Sequence, residues 1–139
     1  MRHASRTLEA GLWKLATGRS KITRVNNYEN LEVYTRAHRL FPKIYRMVRT
    51  WNVVDQRELG SQIIRAANSV HANIAEGYNK TPADFKRYIN NAIGSCDELT
   101  SHLRDAGNIG LIEREMEKFF VREYIIVGKQ LTRLKQNWK

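Results

Sequence analysis

The stretch from Gln62 to Gly77 constrains the fold of this chain more than any other. Ile63, Ala66, Ala67, Val70 and Ile74 recur at steps of three and four, which lays an apolar stripe along one face of a helix. Beside it runs a second stripe of Gln62, Arg65, Ser69, Asn73 and Glu76. That stripe is too poor in Lys and Glu for an ordinary solvated face, so the helix is expected to be covered on more than one side. Such a helix belongs inside a bundle.

Helical periodicity continues on both sides of this segment. Val33, Ala37, Leu40, Phe41, Ile44, Tyr45 and Val48 mark a first helix with Pro42 inside it, where a missing donor and a crowded ring predict a kink or reduced stability. A turn is expected over Trp51 to Asp55, then a second helix from about Asp55 to Tyr78, with Gly77 as its C-terminal cap. The third helix carries the plainest start signal: Thr81 as N-cap, Pro82 at the first helical position and Asp84 complementing the dipole. Its buried stripe is Phe85, Ile89, Ala92, Ile93, Cys96, Leu99 and Leu103, and Ala106 to Gly110 reads as the following turn. Met116, Phe120, Tyr124, Val127, Leu131, Leu134 and Trp138 give a fourth helix, starting near Glu113, Glu115 and Glu117. Four such helices with short connections predict an all-α fold, an antiparallel up-down four-helix bundle over residues 28–139. Residues 1–27 break the pattern and read as a flexible or conditionally folded basic arm.

The chain has 139 residues, enough for one core without metal or disulfide. Its single cysteine, Cys96, excludes an intramolecular disulfide. No apolar run approaches the length of a membrane span and no hydrophobic leader opens the chain, so a cytoplasmic protein with no membrane role is expected. The formal net charge is +10 and is unevenly spread: residues 1–27 hold six Lys/Arg against one acid, residues 28–50 five against two, and residues 51–139 thirteen against eleven. An N-terminal basic excess favours a polyanionic partner, RNA or DNA above all, because phosphate contacts release condensed counterions.

Arg36, Arg39, Lys43, Arg46 and Arg49 form a basic stripe on the first helix, opposite its apolar face, and Arg19, Lys21 and Arg24 extend it into the arm. These eight are the candidate phosphate contacts; Tyr34, Trp51, Tyr78 and Tyr88 are candidates for stacking on bases. The third helix carries a polar line, Asn91, Ser95, Glu98, His102 and Asp105. Facing Arg65, Asn73 and Glu76, it gives an expected polar network or subunit interface of Arg65, Asn73, Glu76, Ser95 and Glu98, which would fix helix register. Glu98 and His102 stand one turn apart, but a carboxylate-bridged metal site in a bundle needs two Glu-x-x-His pairs and two more Glu, so no metal and no cofactor are expected. Arg65 and His71 have the loose spacing of an Arg-x(4–6)-His ribonuclease motif, a third reading beside nucleic-acid binding and a protein-interaction scaffold. No phosphate loop, carboxylate pair or nucleophile triad accompanies it, and no enzymatic activity is expected.

Leu31-Glu32-Val33-Tyr34, Ala37-His38, Ser61-Gln62 and above all Ala72-Asn73-Ile74-Ala75-Glu76-Gly77 resemble the four-helix bundle family of 23S rRNA intervening-sequence proteins. The likeness continues through Phe85, Ile93, Ser95, Glu98 and Leu99 and covers roughly residues 28–137. His71 departs from the family pattern, which commonly has proline there, and the basic arm has no counterpart in it. The resemblance implies the bundle fold and a homo-oligomeric ring, a pentameric barrel. The related accessory variability determinant (Avd) of diversity-generating retroelements binds nucleic acid and a reverse transcriptase. The likeness therefore implies a non-enzymatic accessory protein, with a reverse transcriptase as an expected partner.

Overall fold

The computed structural model describes residues 27–139, and in this span the fold is all helix. A short 3₁₀ turn, Tyr28–Asn30, leads into α1, Glu32–Arg49. One turn of α-helix, Val53–Asp55, and a π turn, Gln56–Gly60, then feed α2, Ser61–Gly77; α3 spans Pro82–Asn108 and α4 spans Arg114–Asn137. The expected basic arm lies outside the described residues except for Asn27, whose side chain caps the 3₁₀ turn by accepting from the Glu29 amide at 3.0 Å.

Each helix packs on its neighbour in sequence, α2 on α3 most extensively, and a smaller α1–α4 contact closes the bundle. The antiparallel order is visible in one aromatic cluster. Tyr28, before α1, lies 6.3 Å from Tyr78 at the end of α2; Tyr78 lies 5.7 Å from Phe85 at the start of α3; and Phe85 lies 4.7 Å from Trp138 at the end of α4. Two helix starts and two helix ends therefore share one end of the molecule, as an up-down-up-down bundle requires. Between the ends, Ile44, Ile63, Ile74, Phe85, Ile89, Leu99, Leu103, Tyr124 and Leu131 are wholly buried.

Local chemistry accounts for most boundaries. Thr81 caps α3 as expected, its Oγ1 accepting from the Asp84 amide at 3.3 Å with Pro82 following. Asn52 caps the turn before α2 in the same way, accepting from Asp55. Helix α1 runs unbroken through the exposed Pro42. The expected turn at Ala106 begins later, because α3 continues to Asn108. There Leu111 donates to the Ala106 carbonyl and Gly110 adopts φ +81°, a left-handed stop that only glycine takes without strain.

Three sequence expectations need correction. Gly77 is no left-handed cap, since its backbone stays helical and Tyr78 follows in the same conformation. A Cβ there would fall 2.5 Å from the Cβ of Tyr88, so the glycine serves the close approach of α2 to α3. Helical spacing puts Tyr45 and Met116 in the buried stripes, but they are 41% and 43% exposed. At the start of α4 it is Glu117 that turns inward, packed over Gly107 and bonded by Arg114 at 2.5 Å, which leaves Met116 outside.

Candidate nucleic-acid interface

The basic stripe on α1 is present, and its members differ in what they can offer a ligand. Arg36 is committed: it donates to Glu123 of α4 at 2.8 Å, with the pair half-buried between the helices. Arg39, Lys43, Arg46 and Arg49 are exposed. The Lys43 ammonium sits 5.6 Å from the centroid of Phe119, and the Arg49 guanidinium 5.9 Å from that of Tyr45, cation–π contacts at the long end of their range that leave both residues exposed. Between α1 and α4 lies a hollow of about 290 Å³ bordered by Arg36, Arg39 and Lys43 on one side and Phe119 and Glu123 on the other. Arg19, Lys21 and Arg24 lie outside the described residues.

Helix α4 completes this surface with residues that the sequence pattern alone does not single out. Lys118, Arg122, Lys129 and Arg133 are all exposed and recur on the side of α4 away from Phe120, Tyr124, Val127 and Leu131. Two of the acids that interleave with them in sequence are withdrawn, Glu117 into the bundle and Glu123 into its pair with Arg36. Helices α1 and α4 together hold eleven Lys/Arg against four Glu, net +7, whereas α2 and α3 together hold four against five acids, net −1. The described charge is thus segregated onto one half of the bundle.

The expected polar network forms in part. Ser95 of α3 donates to Ser69 of α2 at 2.8 Å, and the Asn73 amide donates to the Ser69 carbonyl and hydroxyl at 2.8 and 2.9 Å. Arg65 and Glu76 are exposed and take no part, while Glu98 meets His102 of its own helix at 3.2 Å. Ser69, absent from the expected set, is the hub. Among the described residues no group of three or more His, Cys, Asp or Glu converges as a metal site would require, and no helix is long and apolar enough to cross a membrane.

His71 and Arg65 are not brought to one site. Arg65 is exposed, whereas His71 is buried against α1, with the rings of His38, Phe41 and Tyr34 at 5.2, 5.6 and 6.0 Å. Burial pushes its pKa down to about 4, the neighbouring His38 adds to the shift and the Ala67 carbonyl partly opposes it. The unfolded chain therefore binds a proton at His71 that the folded chain refuses between about pH 4 and 6.5, so stability rises with pH across that window. Lowering the pH from 7 to 5 is expected to cost about 2 kcal/mol through this residue. His71→Phe should remove that difference, read as the change in urea midpoint between the two pH values. An equal acid loss in both proteins would exclude His71 as its source.

The comparisons with known proteins agree with this architecture. The family model for the 23S rRNA-intervening sequence protein matches residues 29–133. Among solved structures the chain is similar to the crystal structure of a protein with unknown function from the S23 ribosomal protein family of Bacteroides thetaiotaomicron. The identity is 23% and the TM-score 0.66, with 76% of this chain and 99% of that one covered. At that identity the likeness concerns the fold. No curated protein matches the sequence.

Proposed function

We propose, from the premise that this chain belongs to the 23S rRNA-intervening sequence protein family, that it is a non-enzymatic nucleic-acid-binding accessory protein acting in the cytoplasm as a homo-oligomer. One observation carries this reading: the net +7 of α1 and α4 beside the net −1 of α2 and α3. A bundle that needed charge only for solubility would gain nothing from placing it on one half. A polyanion gains a continuous track, because adjacent phosphates meet Arg39, Arg46, Arg122 and Arg133 in turn and release their counterions. The nearly neutral α2–α3 half is the side on which copies pack. A pentameric ring would repeat the basic half five times and turn modest contacts into a firm grip on a long strand.

An Avd-like role beside a retroelement reverse transcriptase fits the same surface. The exposed Val53, Val54 and Ile109, in the turns at the end of the bundle away from the aromatic cluster, supply a protein partner with an apolar foothold. That patch is also what favours the second reading, a scaffold that binds protein alone. The two separate in one binding experiment on RNA, with Arg39, Arg46, Arg122 and Arg133 changed together to Gln and, as control, Arg65, Arg87 and Arg104 of the other half changed together. The first reading expects a large loss in the former protein and little change in the latter. A scaffold expects no RNA binding in the wild type.

A further inference from the structure

Where α3 and α4 face each other, the bundle surface opens into a groove of about 460 Å³, within the size range of small-ligand sites. Ile93 and Cys96 on α3 and Tyr124 and Gly128 on α4 line it, and Lys129 and Arg133 stand along its α4 bank. Tyr124 is wholly buried, yet its hydroxyl has no hydrogen-bond partner among the described residues. An orphaned buried hydroxyl costs on the order of 1–3 kcal/mol, and nearly all such groups in folded proteins find a partner. No described residue lies within 4 Å of where a Cβ on Gly128 would stand, so the glycine keeps this stretch of the groove open. Among the described residues Asp97, on the opposite bank, is the one acid lining the groove, against two cations.

We infer that this groove receives a nucleotide of single-stranded nucleic acid, its base seated over Gly128 between Ile93 and Tyr124 and its phosphate on Lys129 and Arg133. The inference rests on the nucleic-acid reading above and names the form of strand that the basic half prefers. Lys129 and Arg133 belong at once to the basic face of α4 and to the groove, so a strand tracking that face passes the opening. A base can turn into it only when unpaired. Entry of the base between α3 and α4 uncovers the buried Tyr124 hydroxyl and gives it an acceptor, and Asp97 offers an acceptor to an exocyclic amine.

The test uses the full chain with a 12-nucleotide single-stranded RNA and the corresponding duplex, measured side by side. Gly128→Leu fills the groove from the solvent side, and Tyr124→Phe removes only the hydroxyl from an otherwise unchanged core. The wild type is expected to bind the single strand at least 10-fold more tightly than the duplex. Gly128→Leu should erase that preference while leaving duplex affinity within 2-fold, and Tyr124→Phe should weaken the single strand 3-fold or more. Equal binding of both forms by the wild type, or an unchanged preference in both variants, overturns the groove while leaving the basic-face reading intact. Absence of binding to either form overturns both. A fall in the solution mass of Gly128→Leu by light scattering would put a second copy in the groove and overturn its assignment to a nucleotide.

Discussion

Gly77→Ala is expected to destabilise the protein by about 2–3 kcal/mol, the cost of forcing a methyl group into a filled contact. The sign is the informative part. Replacing glycine by alanine in a helix ordinarily gains up to about 1 kcal/mol from backbone entropy and propensity. Here the new Cβ would sit 2.5 Å from Tyr88 Cβ and 2.7 Å from its Cγ. Those atoms are anchored to the backbone of α3 and cannot swing aside, so α2 and α3, the most extensively packed pair, must separate. Gly94 supplies the control, being a helical glycine of α3 with no described residue within 4 Å of where its Cβ would stand. Gly94→Ala should raise the denaturant midpoint while Gly77→Ala lowers it at unchanged m-value. A Gly77→Ala protein as stable as the wild type would mean that α2 and α3 approach each other less closely in solution.

The combined change of Arg39, Arg46, Arg122 and Arg133 to Gln should weaken RNA binding about 100-fold near physiological salt, on the order of 0.7 kcal/mol for each phosphate no longer neutralised. All four side chains are exposed, so fold stability should stay within about 0.5 kcal/mol of the wild type. Arg36 stays unchanged in this variant, because removing it would strand Glu123 between α1 and α4 and mix a packing defect with weakened affinity. The loss should be uniform across RNA sequences, as contacts to phosphate carry no base information. A loss confined to particular sequences would place these arginines on base edges instead.

How much of the chain is legible in its sequence depends on how local each signal is. The start of α3 is legible because Thr81, Pro82 and Asp84 act within a single turn. The buried stripes of Ile63, Val70 and Ile74, and of Phe85, Ile89 and Leu99, are legible because helical spacing alone sets which positions turn inward. Gly77 reads wrongly as a cap, since the reason for it lies eleven residues away on Tyr88, a neighbour only the packed bundle supplies. Half of the basic face is hidden for a related reason. In sequence Lys118 and Arg122 are diluted by Glu115, Glu117 and Glu123, and only the packing removes the last two from the surface. The polar stripe on α2 is rightly unusual, yet the bundle uses only its middle, Ser69 and Asn73, to meet Ser95.

The central claim is that a basic half-bundle tracks phosphates, and the salt dependence of RNA binding measures this directly. For the wild type, log affinity against log salt should fall with a slope of about −3 or steeper, as expected for four or more phosphates neutralised at roughly 0.7–0.9 each. The four-arginine variant should show a slope reduced by half or more. A wild-type slope near zero, or the same slope in both proteins, would contradict the assignment of nucleic-acid binding to α1 and α4.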